Sequence, residues 1–110
     1  MSSYGHFCHI AKASEILGER WSHLIIRELG AGSVTFNDLR KVLPLISPCL
    51  LSSRLKSLEA AGVAARTETE RGIRYTLSEA GRELKPIILQ VGVWGHRWVR
   101  SKLSPEDLDP

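Results

Sequence analysis

Residues 46–62, ISPCLLSSRLKSLEAAG, read as one helix with both ends marked in the sequence. Ser47 is an N-cap residue and Pro48 takes the first helical position, where its missing N–H costs nothing. Ile46 and Leu51 have the spacing of a hydrophobic staple across that cap. Gly62 ends the helix as a residue free to turn left-handed. Leu51, Leu55 and Leu58 share one face, and Cys49, Ser53, Lys56 and Ser57 fall opposite, with Ser52 and Arg54 on the flanks. Small hydroxyls and single cations suit a helix that enters the DNA major groove, where they meet base edges and phosphates without bulk. A core helix with a solvated back has the same pattern, so the neighbouring segments decide.

Upstream, Cys8 to Leu17 reads as a short helix with apolar points at Ile10, Ala13, Ile16 and Leu17, ending at Gly18. A second helix is expected from about Glu19 to Leu29, with Trp21, Leu24, Ile25 and Leu29 inward and Gly30-Ala31-Gly32 as its stop. Ser33 and Val34 are expected to form a very short strand. Thr35-Phe36-Asn37-Asp38 has the form of a capping box, opening a third helix that Pro44 ends near Leu43. Downstream of Gly62 the period changes from helical to alternating. Residues 63–69 and 73–77 read as two strands joined by Glu70-Arg71-Gly72. Ser78 then caps a long helix reaching roughly Lys102, with Pro86 as a kink. The expected fold is mainly α with a small β-hairpin: a winged helix-turn-helix, with the helix over about 47–61 as the reading helix and the hairpin over about 63–77 as the wing.

The chain has 110 residues, 43% hydrophobic and 25% charged, which fits one ordinary globular domain. We expect residues 1–103 to form this domain and residues 104–110, acidic and flanked by Pro105 and Pro110, to be a tail or linker. No apolar run approaches the ~20 residues that span a bilayer, and the start MSSYGHFCH lacks a basic region followed by an apolar core. The expected compartment is the cytoplasm, with no membrane partner. The two cysteines, Cys8 and Cys49, make no disulfide framework. A net charge of +3 permits an acidic partner, and its placement matters more than its size. There is no Gly-rich phosphate loop, nucleophile elbow or recognisable pair of catalytic carboxylates, so neither an enzyme nor a cofactor is expected. His6 and His9 beside Cys8 fall short of a metal set, because His23 and His96 are distant in sequence.

A family resemblance enters on an ordered series of motifs: GERWSHLIIREL from Gly18, FNDLR from Phe36, LPLISP from Leu43, LSSRLKSLEAAG from Leu51, RYTLSEAGREL from Arg74 and Trp94-Gly95. Together they resemble the HxlR-type winged-helix transcriptional regulators, relatives of the MarR group, over nearly the whole chain. The resemblance implies a homodimer that binds a double-stranded operator and dimerises through its terminal helices. It also implies that a cysteine near the N-terminus, the place of Cys8, serves some members as a sensor of oxidants or electrophiles. In many members the position of Cys49 holds a longer polar or basic side chain.

The candidate DNA-contacting residues are Ser47, Cys49, Ser52, Ser53, Arg54, Lys56, Arg71 and Arg74. Ile10, Ile16, Leu84, Ile88, Val91, Trp94 and Trp98 are the candidate dimer contacts, since the last helix is more apolar than one face requires. Gly92 and Gly95 would let a second helix approach closely. Cys8 and Cys49 are the candidate redox thiols. Arg54 has two open readings, a phosphate contact or a partner for an acid such as Glu59. Two other functions fit the same fold: a winged-helix module that binds protein rather than DNA, and a thiol or small-molecule sensor with indirect output.

Overall fold

A computed structural model of the chain describes residues 8–32 and 34–99. The elements run α1 (His9–Leu17), α2 (Ser22–Leu29), α3 (Phe36–Val42), α4 (Pro48–Ala60), β1 (Ala64–Thr69), β2 (Gly72–Leu77) and α5 (Glu79–Val99). The expectations for His6, Ser33, Lys102 and the tail at 104–110 lie outside the described residues.

The local signals around α4 act as read. The Ser47 Oγ accepts a hydrogen bond from the Leu50 amide at 3.1 Å. At the far end Gly62 has φ +78°, and the amides of Gly62 and Val63 donate to the carbonyls of Glu59 and Leu58 at 3.0 and 2.9 Å. Those two bonds satisfy carbonyls that the helix leaves open and turn the chain straight into β1. Leu51, Leu55 and Leu58 are fully buried, joined in the core by Ile25, Ile26, Leu29 and Leu39. Burial of each such side chain is worth about 1.5–3 kcal/mol, which fixes the face that α4 turns outward. The Thr35 box forms in both directions, Asp38 N to Thr35 Oγ1 and Thr35 N to Asp38 Oδ2, each at 3.0 Å.

The second helix starts later than expected. Trp21 adopts φ +80°, so helical geometry begins at Ser22 and residues 18–21 form a turn. An aromatic residue is rare in the left-handed region, and only surrounding structure holds it there. Here the Trp21 side chain is 5% exposed in the core, and Arg54 reaches over from α4 to grip the turn. Ile26, absent from the expected inward stripe, is fully buried.

The hairpin is antiparallel, with Ala64 paired to Leu77 and Thr69 to Gly72. Val34 adds a lone bridge to Tyr75, with N–O distances of 3.0 and 2.7 Å, and ties the segment before α3 to the wing. Ser78 joins the wing root to α5: its hydroxyl donates to the Gly62 carbonyl at 2.6 Å and accepts from the Gly81 amide at 3.0 Å. Gly81 sits so close to this root that a Cβ would collide with the Val63 carbonyl and the Leu77 side chain. α5 continues through Pro86 as one element.

Candidate nucleic-acid interface

α4 presents Ser47, Cys49, Ser53 and Lys56 outward as exposed side chains, with Ser52 half-buried beside them. Hydroxyls at this spacing both donate and accept, and the lysine supplies a point charge. Arg54 does not join that face. Its Nε donates to the Arg20 carbonyl at 2.8 Å, and its Nη1 lies 3.7 Å from the Glu19 carboxylate. Of the two readings left open for it, ion pairing applies, and the acid is Glu19 rather than Glu59. The long guanidinium crosses to the turn after α1 because that turn offers both a carbonyl and a carboxylate.

On the wing, Arg71 is exposed at the tip, where its amide donates to Thr69 Oγ1 at 3.2 Å. Thr69 Oγ1 in turn donates to the Gly72 carbonyl at 2.8 Å, which stiffens the tip. Arg66 pairs with Glu68 at 3.6 Å. Arg74 is half-buried and close enough to Asp38 of α3 to contribute to holding that carboxyl down. The main causes of that lowering are hydrogen bonds from the Thr35 backbone and then the Thr35 side chain. Wing and helix-turn-helix are thus hydrogen-bonded through Val34 and Tyr75, and Arg74 adds a weaker attraction to Asp38.

The distribution of free charge singles out residues that the sequence reading missed. Lys12, Arg27, Arg54 and Arg66 are salt-bridged, and Arg82 and Lys85 donate to backbone carbonyls. Among the described residues, the side chains of Arg40, Lys41, Lys56 and Arg71 have neither a salt bridge nor a hydrogen bond. All four lie on α3, α4 or the wing tip. The signal for Arg40 and Lys41 is present in the sequence as two adjacent cations in the last turn of α3.

The apolar candidates divide. Ile88 is 7% exposed and belongs to the core of the subunit, so it is removed from the dimer contacts; Ile16 and Leu84 are half-buried against that core. Ile10, Val91, Trp94 and Trp98 are exposed, as are Ile87, Leu89, Val93 and Val99, which belong to the apolar excess of the same helix. Ile87, Val91, Trp94 and Trp98 fall on one stripe of α5. Trp94 is 61% and Trp98 67% exposed. Beyond Ile88 every described residue of α5 except Gly95 is exposed.

Cys8 caps α1, its Sγ accepting from the Ala11 amide at 3.4 Å, and is half-buried. Cys49 is exposed in the first turn of α4, and both thiols are free. No group of three or more His, Cys, Asp or Glu side chains among the described residues is arranged to hold a metal. No helix among them is long and apolar enough to cross a membrane.

The profile of the HxlR-like helix-turn-helix family matches residues 16–103. The chain belongs to this family. Its HxlR-like relatives include the HTH-type transcriptional regulator YvaP of Bacillus subtilis, 40% identical over 91 residues, covering 80% of this chain and 84% of that protein. YodB of the same organism, also an HTH-type transcriptional regulator, is 34% identical over 89 residues, 78% of this chain and 80% of its own. Among solved structures, the redox regulator HypR in its oxidised form superposes with a TM-score of 0.77 at 30% identity, covering 82% of this chain and 96% of that one. Quinone-bound YodB from B. subtilis does so with a TM-score of 0.72 at 31% identity, over 81% and 97%. The winged helix-turn-helix expected from the motifs is therefore the fold, and the HxlR-type membership read from them holds.

Proposed function

We propose that this chain is a homodimeric, sequence-specific DNA-binding transcriptional regulator of the cytoplasm, without enzymatic activity. α4 enters the major groove, and the hairpin over about 63–77 rests on the flanking backbone. One observation carries this reading: the leucine face of α4 is sealed in the core while Ser47, Cys49, Ser53 and Lys56 face outward, and the exposed wing tip is braced by its own hydrogen bonds. That combination gives a rigid, small-featured and weakly basic edge, suited to base and phosphate contacts together. The functional unit is residues 1–103, with 104–110 as a tail, and the exposed stripe of α5 supplies the second-subunit contact.

Cys8 favours a thiol-responsive form of the same function, because it is a free, half-buried cysteine at a helix start whose sulfur accepts from the Ala11 amide. The relatives named for redox regulation and quinone binding point the same way. Enrichment of bound duplexes from a random-sequence pool tests both statements. We expect a two-fold symmetric site with half-sites about 10 base pairs apart, or a multiple of that. We also expect treatment with a thiol oxidant to change binding by the wild type and to leave Cys8→Ser unchanged. A pool that returns no sequence preference removes the regulator reading. Equal loss in both proteins transfers the thiol response to Cys49.

A further inference from the structure

In helix-turn-helix docking, the first turns of the reading helix lie closest to base edges. In this chain that turn, Ser47-Pro48-Cys49-Leu50, carries no cation. The first basic residue of α4, Arg54, is held by the Arg20 carbonyl and Glu19. Charge for the phosphates beside this turn has to come from another element.

Arg40 and Lys41 stand in that place. With Asn37, Pro44 and Ile46 they line a shallow cleft of ≈ 490 Å³ at the turn that leads into the Ser47 cap. Both cations and Asn37 are exposed, and none has a salt bridge or side-chain hydrogen bond. The neighbouring acid, Asp38, is held by its bonds with Thr35; its attraction to Arg74 and, weakest, to Lys41 is smaller than the effect of those bonds, and Lys41 forms no salt bridge with it. The carbonyl end of α3 contributes about half a negative charge, which two full positive charges outweigh. The other cationic cleft, at Arg82 and Lys85, is a weaker candidate because both side chains already donate to backbone carbonyls.

We propose that Arg40 and Lys41, with Asn37, clamp two adjacent DNA backbone phosphates at the entry to α4, an inference that rests on the DNA-binding reading above. Arg40 offers a planar fork to two phosphate oxygens, Lys41 a point charge and Asn37 an amide donor. The clamp sets register and reads no sequence. It therefore acts on any duplex, and its test needs no operator.

The probe is a short mixed-sequence DNA duplex, titrated at several salt concentrations with wild type, Arg40→Gln/Lys41→Gln and Lys56→Gln. Each lost phosphate contact lowers the slope of log K against log salt by about 0.9. The double variant should lose about 1.8 of slope, so a fourfold rise in salt should weaken it roughly tenfold less than the wild type. Lys56→Gln should lose about half as much slope. The swapped variant Arg40→Lys/Lys41→Arg should keep the wild-type slope, which separates charge from folding. If the double variant keeps the wild-type slope while Lys56→Gln loses its share, the clamp is wrong and the DNA reading stands. A wild type with no salt-dependent duplex binding overturns both.

Discussion

Asp38 shows how a single exposed side chain sets the start of an element. Its carboxylate accepts from the Thr35 amide while Thr35 Oγ1 accepts from its own amide, and its pKa falls below the ordinary 3.8. A carboxyl lowered on folding adds stability above its unfolded value and loses it as pH falls through the folded one. Carboxyl chemical shifts followed by NMR should show Asp38 titrating below pH 3.8, and Thr35→Ala should move that midpoint upward. A midpoint unchanged by Thr35→Ala would mean the Thr35 hydroxyl does not help hold the carboxyl down, since the variant keeps the backbone bond. The Thr35 box, the Ser47 cap and the Gly62 turn were legible in the sequence because each depends on residues within four positions. Arg54 was not. Its choice of Glu19 over a phosphate or Glu59 is made across a separation of 34 to 35 residues that no local pattern encodes.

Elements inherit the same division between local and distant causes. The extents of β1, β2 and α4 follow from alternation, leucine spacing and turn residues, and they were read nearly to the residue. α2 was read too long because Glu19 and Arg20 are acceptable helix formers. The left-handed Trp21 that excludes them is imposed by its burial and by the grip of Arg54. The glycine in α5 carries a similar lesson. In an open helix, Gly→Ala gains about 1 kcal/mol. At Gly81 the added methyl meets the Val63 carbonyl and Leu77, and overpacking costs about 1–3 kcal/mol. Gly81→Ala should therefore lower the denaturant midpoint, with a net loss of up to about 2 kcal/mol from these opposed terms. A gain in stability would show that the α5–wing contact is loose. Gly92 and Gly95 have open space above them and carry no such cost within the subunit.

For the whole molecule, the exposed stripe of α5 is the largest apolar feature left unsatisfied by the core. Two tryptophans more than half exposed are unusual on a solvated helix and fit the buried centre of an interface. Sedimentation of the wild type at micromolar concentration should give a dimer, and Trp94→Glu/Trp98→Glu should give a folded monomer with much weaker operator binding. A wild-type monomer, or a double variant that stays dimeric, would move the interface elsewhere. Sequence showed that α5 is too apolar. It did not show which side chains the subunit keeps for itself, so Ile88 was grouped with the interface although the core takes it. The Ser78 junction gives this arrangement a mechanical meaning. One hydroxyl bonds the end of α4 to the start of α5, and Gly81 lets the helix seat against the wing root without a gap. The reading head and the rod that carries it thus turn as one piece. A rod of 21 residues is about 30 Å long. In the proposed dimer, tilting it by about 10° against its twin would swing the far end by about 5 Å, nearly half the width of the major groove. On that proposal each subunit stays rigid, and a small adjustment at the pivot between two such rods is enough to engage or release the operator.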